Sequence, residues 1–156
     1  MIEGSTEKEW MDIASALLSE ESEISVTVYI DGASELDNSN AGIGGIFFNK
    51  AKSEKELCSF SENIGAATNN EAEYYALLKA VEIGRELDIK NLDIHSDSEL
   101  IVKQINLEYK VKNERLQHLH AKARELLVGL DWSLRHVPRE NNKKADTLSK
   151  QALAKR

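Results

Sequence analysis

The sequence predicts one α/β domain on a five-stranded mixed sheet: three antiparallel strands, then two parallel ones, with helices available to both faces. Three observations predict it. A length of 156 residues, 41% hydrophobic and 30% charged, suits one folded domain with its own core and excludes a disordered chain. Strand-like runs fill residues 25–64, and from Thr68 the apolar residues recur at three and four instead. The resulting order is β-β-β-α-β-α-α-β-α. Strands joined by short links pair antiparallel, and strands reached through helices lie parallel to the first.

Each element has its own local reason. Ser25 to Asp31 is β-branched and aromatic, apolar enough to be a central strand. Gly42 to Phe48 is the second strand, where Gly44 and Gly45 suggest a bulge or a close backbone approach. A loop rich in Ser, Asn and Asp over 34–41 joins the two. Residues 56–64 alternate and suit a more exposed third strand. Thr68, Asn69 and Asn70 offer N-cap side chains, and Ala72, Tyr75, Ala76, Ala80, Ile83 and Leu87 then mark a helix over about 70–87. Leu92 to His95 is a short strand that leads to Asp97. Helices follow over about 98–106 and 113–129, the second with Leu116, Leu119, Ala123, Leu126 and Leu127 inward. Trp132 to Val137 is the fifth strand, closed by the only proline, Pro138, and a last helix covers about 142–154.

Residues 1–24 read as a separable N-terminal helical extension to a domain spanning 25–156. Thr6 and Glu9 fit a capping box, and Trp10, Ile13, Ala14, Leu17 and Leu18 share one helical face. That stripe suits packing onto its own domain, with docking to a partner as the alternative.

Charge is uneven along the chain. The net charge is −7, divided as −6 over residues 1–24, −8 over 25–102 and +7 over 103–156. A basic C-terminal third beside an acidic middle allows a phosphate backbone on one and a cation on the other. The single cysteine, Cys58, excludes an internal disulfide and a Cys-rich zinc site, and reads as a buried small apolar group. No apolar run approaches the ~20 residues of a membrane span, and the N-terminus lacks the pattern of a secretion signal. A soluble, monomeric, cytoplasmic domain is the expectation.

Four acids sit at structural junctions. Asp31 ends the first strand, Glu73 lies in the first turn of a helix, Asp97 ends the fourth strand and Asp146 is near the start of the last helix. Groups at the carboxyl ends of adjacent strands share one crevice, so neighbouring first and fourth strands would set Asp31 beside Asp97. Each acid alone is better read as a solvated or helix-capping residue. Together they would repel one another unless a cation bound them. An all-oxygen set suits Mg²⁺ or Mn²⁺, and two such ions about 4 Å apart can activate water and stabilise a leaving oxygen at a phosphodiester.

Four ordered segments carry a resemblance: Tyr-Ile-Asp-Gly-Ala-Ser (29–34), Thr-Asn-Asn-Glu-Ala-Glu-Tyr-Tyr-Ala-Leu (68–77), His-Ser-Asp-Ser-Glu-Leu-Ile-Val-Lys-Gln-Ile (95–105) and His-Val-Pro-Arg-Glu-Asn-Asn-Lys-Lys-Ala-Asp (136–146). Over about residues 25–154 the chain resembles the type 1 ribonuclease H family, in its subgroup with a Val-Pro-Arg-Glu loop and no basic protrusion. The resemblance implies the ribonuclease H-like fold and endonucleolytic cleavage of RNA in RNA–DNA hybrids with Mg²⁺ or Mn²⁺. The products would carry 5′-phosphate and 3′-hydroxyl ends. It assigns the acidic quartet to Asp31, Glu73, Asp97 and Asp146, with Asp31 bridging two ions. Glu73 and Asp97 would hold the ion near the leaving oxygen, and Asp146 the ion that activates water. Glu71 falls outside the pattern.

His136, ten residues before Asp146, matches a catalytic loop histidine that shuttles a proton or aids product release; a structural histidine at a strand end is the alternative. The resemblance implies that Gly32, Ala33, Ser34, Asn69, Asn70, Ser98 and Glu99 would face the hybrid's minor groove and its 2′-hydroxyls. Thr68 matches a DNA-phosphate contact and Asn142 a contact near the active site; for both, an N-cap or turn role fits equally well. Two departures stand out. Glu99 occupies a position that is commonly glutamine, and the link at 106–113 is too short for the basic, Trp-rich protrusion of some members. Grip on a hybrid would then fall to Arg139, Lys143, Lys144, Lys103, Lys110 and Lys112. His95 reads as a packing residue, and His118 and His120 as surface or packing residues. Two other functions compete: a DNA-acting nuclease of the same fold, and a non-catalytic hybrid-binding module, which has no need of four repelling acids.

Overall fold

A computed structural model describes residues 25–51 and 55–156. The helix expected within residues 1–24 lies outside the described residues. Among the described residues the element order is β1 (Ser25–Ser34), β2 (Ala41–Asn49), β3 (Lys55–Gly65), α1 (Asn69–Glu86), β4 (Asn91–Ser96), α2 (Glu99–Ile105), α3 (Glu114–Leu127), β5 (Asp131–His136), a 3-10 turn (Arg139–Asn141) and α4 (Lys143–Leu153). The sheet order is β3-β2-β1-β4-β5, with β1–β2 and β2–β3 antiparallel and β1–β4 and β4–β5 parallel. This is the predicted mixed sheet.

Alternation along β1 divides the sheet into two faces. Val26, Val28 and Ile30 are sealed against the side covered by α1, where Tyr74, Leu77, Val81, Leu92 and Ile94 complete the core. Burying each such aliphatic side chain is worth about 1.5–3 kcal/mol. Helix α3 backs α1 through Leu116, Leu119, Ala123 and Leu127, while Leu126 is only half-buried. Helix α4 covers the opposite face, over β1, β2 and β3.

Two close approaches seat the helices. A Cβ on Gly32 would lie 2.3 Å from the Ala72 backbone, so β1 can pass directly under α1 only because residue 32 lacks one. A Cβ on Gly44 would lie 2.5 Å from the Ser149 backbone nitrogen, so α4 rests on β2 for the same reason. Gly44 stands directly opposite Asp31 in the β1–β2 register.

Thr68 opens α1 with a reciprocal capping box: its hydroxyl accepts from the Glu71 amide at 3.1 Å, and the Glu71 carboxylate accepts from the Thr68 amide at 2.9 Å. Glu71 is thereby committed to the helix end. The 3-10 turn after Pro138 is absent from the sequence reading, because three residues carry no periodicity to detect. Cys58 is buried, and burial pushes its thiol up, as a packing role requires. His95 packs edge-on against Tyr29 at 4.7 Å and stands 3.3 Å from Asp93, and His120 bonds the Gln104 carbonyl at 2.9 Å. Among the described residues, no helix is long and apolar enough to cross a membrane.

Candidate active site

Strands β1 and β4 run parallel and their pairing ends at Ile30 and Ser96, which sets the next residues, Asp31 and Asp97, side by side; Asp31 does not end its strand as expected, since β1 continues to Ser34 paired with β2. Glu73 projects from α1, directly above the point where Gly32 lets the strand pass. One carboxylate oxygen from each of Asp31, Glu73 and Asp97 lies within 4.8 Å of the others. The three side chains come from positions up to 66 residues apart in the chain, yet they share one spot.

They line a cavity of about 390 Å³ together with Gly32, Ala33, Ser34, Asn69, Ser98, Arg139, Asp146, Lys150 and Leu153. Asp146 borders this cavity but is not among the three mutually close carboxylates; its own partner is Lys150, one turn further along α4, at 3.0 Å. A second cavity, of about 470 Å³, lies on the open sheet face beside Tyr29, Phe48 and His95 and contains none of these acids.

The electrostatics are those of acids crowded out of water. Burial raises the Asp31 carboxyl from 3.8 to about 7; the Ser149 hydroxyl opposes the rise, and the charges of Asp97 and Asp146 add to it. Burial likewise raises Glu73 well above the usual carboxylate range, helped by repulsion from Asp31 and opposed by the Gly32 amide, which donates to the Glu73 Oε1 atom. No arginine or lysine pairs with Asp31, Glu73 or Asp97 among the described ion pairs. Three adjacent hard oxygen donors, two of them driven toward protonation, fit a divalent cation of the Mg²⁺ or Mn²⁺ type.

The remaining predicted residues divide by place. Ser34 donates to the Ala67 carbonyl at 2.6 Å, tying the end of β1 to the loop before α1. Ser98 caps α2 by accepting from the Ile101 amide at 3.4 Å, and it also borders the cavity. Thr68, Asn70, Glu99, Asn142 and His136 do not line it. Glu99 is exposed and pairs with Lys103 at 2.8 Å, which lowers its carboxyl; the charge of His136 adds to the effect. Lys103 is thus engaged rather than free. His136 is exposed at the end of β5, opposite Ser96 in the sheet. Asn142 makes no side-chain cap to α4. It is buried, and its Nδ2 donates to the Ile30 carbonyl at 2.9 Å and to Asp97 Oδ2 at 3.2 Å, so it joins the two strand ends that carry Asp31 and Asp97.

Sequence reasoning missed Ser149 and Lys150. Ser149 is wholly buried, with its hydroxyl 2.6 Å from Asp31 Oδ2. The signal was present: Ala145, Ser149 and Ala152 follow helical spacing, so a hydroxyl occupies the apolar stripe of α4.

Comparison with known proteins agrees with this fold. The family model described as reverse transcriptase-like matches residues 29–152. Ribonuclease HI of Halobacterium salinarum is 36% identical over 129 residues, 82% of this chain and 64% of that protein. A bifunctional protein of Mycobacterium tuberculosis is 31% identical over 133 residues, 82% of this chain and 35% of its own length. The chain therefore spans less than two thirds of both relatives. The crystal structure of the Halobacterium RNase H1 superposes with a TM-score of 0.79 at 35% identity, covering 84% of this chain and 98% of that one. LC11 RNase H1, solved in complex with an RNA/DNA hybrid, gives 0.75 at 34% identity over 83% of this chain and 97% of that one. Matched across nearly all of its described length, in sequence and in strand order, this chain belongs to the type 1 ribonuclease H family.

Proposed function

We propose that the protein is an endoribonuclease of the cytoplasm that hydrolyses the RNA strand of RNA–DNA hybrids, leaving 5′-phosphate and 3′-hydroxyl ends. The observation that carries this reading is the convergence of Asp31, Glu73 and Asp97 within 4.8 Å, with burial pushing the Asp31 carboxyl up to about 7. A site that strains against its own charge is built to be neutralised. Asp31, Glu73 and Asp97 would hold divalent ions, Mg²⁺ or Mn²⁺, with Asp146 on the cavity's rim as a further oxygen donor. Bound there, such ions supply Lewis acidity at the phosphodiester and lower the pKa of the attacking water.

The chain's own residues do the rest. Gly32, Ala33, Ser34, Asn69 and Ser98 form the cavity rim on which a 2′-hydroxyl would be read, with Asn70 and Glu99 beside it, Thr68 on a DNA-strand phosphate and Asn142 holding Asp97 in line. Arg139 and Lys150 border the acids and would take phosphate oxygens. His136 would carry a proton to or from the cleaved strand, from its exposed place at the end of β5.

The test is a labelled hybrid incubated with purified protein beside duplex DNA and duplex RNA of one sequence. Only the RNA of the hybrid is expected to be cut, with Mg²⁺ or Mn²⁺ and not with chelator, and Asp97→Asn is expected to remove the activity while far-UV circular dichroism is unchanged. Failure to cut with either ion across pH 6–9, or preferential cutting of duplex DNA, overturns the reading.

A further inference from the structure

A buried serine inside a helix usually bonds back to the carbonyl three or four residues earlier. Ser149 is so placed, with the Asp146 carbonyl at 2.9 Å, but its hydroxyl also stands 2.6 Å from Asp31 Oδ2 on another element, 118 residues away in sequence. What brings it there is the absence of two side chains on β2. A Cβ on Gly44, the residue across from Asp31, would lie 2.5 Å from the Ser149 nitrogen, and a Cβ on Gly42 would lie 2.5 Å from the Ser149 carbonyl oxygen. The strand thus lets the α4 backbone descend at residue 149, next to the Asp31 carboxylate. One turn of the same helix carries Asp146 to the rim of the cavity.

We propose that Ser149 is a positioning residue: by donating to Asp31 Oδ2 it fixes the orientation of that carboxylate and couples it to the helix turn that bears Asp146. This rests on the reading of Asp31 as a cation ligand. A carboxylate that is anchored by a donor presents its remaining lone pairs in one direction, whereas an unanchored one rotates about its side-chain torsions. Groups that hydrogen-bond a metal ligand typically change metal affinity or activity by about 10–100-fold when they are lost. Ser149 is fully buried, so no water replaces the lost donor readily.

The experiment compares full-length wild type with Ser149→Ala and Ser149→Cys. Mn²⁺ alone is titrated calorimetrically into each, and steady-state cleavage of a hybrid is measured in parallel. For Ser149→Ala the Mn²⁺ dissociation constant is expected to rise about 10-fold and kcat to fall about 10-fold, with KM for the hybrid unchanged and the cation-free melting temperature retained, because alanine suits a helix interior. Ser149→Cys, close in volume but with a weak S–H donor, is expected to fall between the two. A packing role predicts the reverse: a lower melting temperature with Mn²⁺ affinity within twofold of wild type, and that result overturns the proposal. Should the alanine variant not fold, the cysteine variant decides on the same criterion. If wild type cuts no hybrid yet binds Mn²⁺ and the alanine variant binds it more weakly, the proposed substrate is wrong and the positioning role stands. A wild type that binds no Mn²⁺ defeats both.

Discussion

Replacing Asp31 with asparagine is expected to stabilise the cation-free protein at pH 8 and to leave it unchanged near pH 4. The Asp31 carboxyl titrates at about 7 in the folded protein against 3.8 in an unperturbed chain. Below pH 4 both states hold the proton and the group is neutral in the balance. Between pH 4 and 7 the unfolded chain releases a proton that the folded protein retains, so stability falls as pH rises, and above pH 7 the full cost is in place. A separation of about 3 pH units, at about 1.36 kcal/mol each, makes that cost about 4 kcal/mol. This is a large part of the 5–15 kcal/mol that typically separates a folded domain from its unfolded chain. The carboxyls held below their usual range, Asp93 and Glu99 among them, act in the opposite sense and only at lower pH, so the window from 4 to 7 belongs chiefly to the crowded acids. Glu73, also raised, keeps a smaller slope in the variant. Urea denaturation in EDTA at pH 4, 5, 6, 7 and 8, followed by circular dichroism, reads the difference directly. The gap between Asp31→Asn and wild type should open from near zero to about 4 kcal/mol, and saturating Mg²⁺ at pH 8 should restore wild type and not the variant. A gap that does not vary with pH, or a variant no more stable than wild type at pH 8, refutes the account of a carboxylate buried and crowded at this site.

Two further outcomes bear on the register of the site. Glu71→Ala should lower stability by about 1 kcal/mol through loss of the capping box and still cut hybrid, whereas Glu73→Gln should lose on the order of 100-fold or more in kcat; urea melts and single-turnover cleavage separate the two, and equal losses of activity would show the wrong glutamate in the cluster. His136→Ala should lower kcat on the order of 10-fold or more with the fold intact, and an unchanged rate would leave His136 as a strand-end residue only.

Sequence by itself determined the element order and most strand and helix bounds to within a residue or two, though β1 runs three residues further than expected, to Ser34. These follow from local rules, whereas the choice of Glu73 over Glu71 rested on the family resemblance. A period of two or of three to four, a threonine that can cap a helix and a proline that ends a strand all act over a few residues. All four junction acids were also legible as candidates, because a carboxylate near a strand end or one turn into a helix is marked by its neighbours. Only the tertiary structure decided which strand ends lie side by side, and so that Asp31 meets Asp97. It decided that Asp146 turns to Lys150, and that Asn142 bridges the Ile30 carbonyl and Asp97 instead of capping α4. It alone placed Ser149 on Asp31, through a glycine on a third element. Those contacts join residues 45 to 118 positions apart, apart from the one-turn pair of Asp146 and Lys150. No periodicity spans such distances. They are fixed by how closely α4 can pack on β2, which depends on the absence of two Cβ atoms, and by the exclusion of water that follows when the helix settles there.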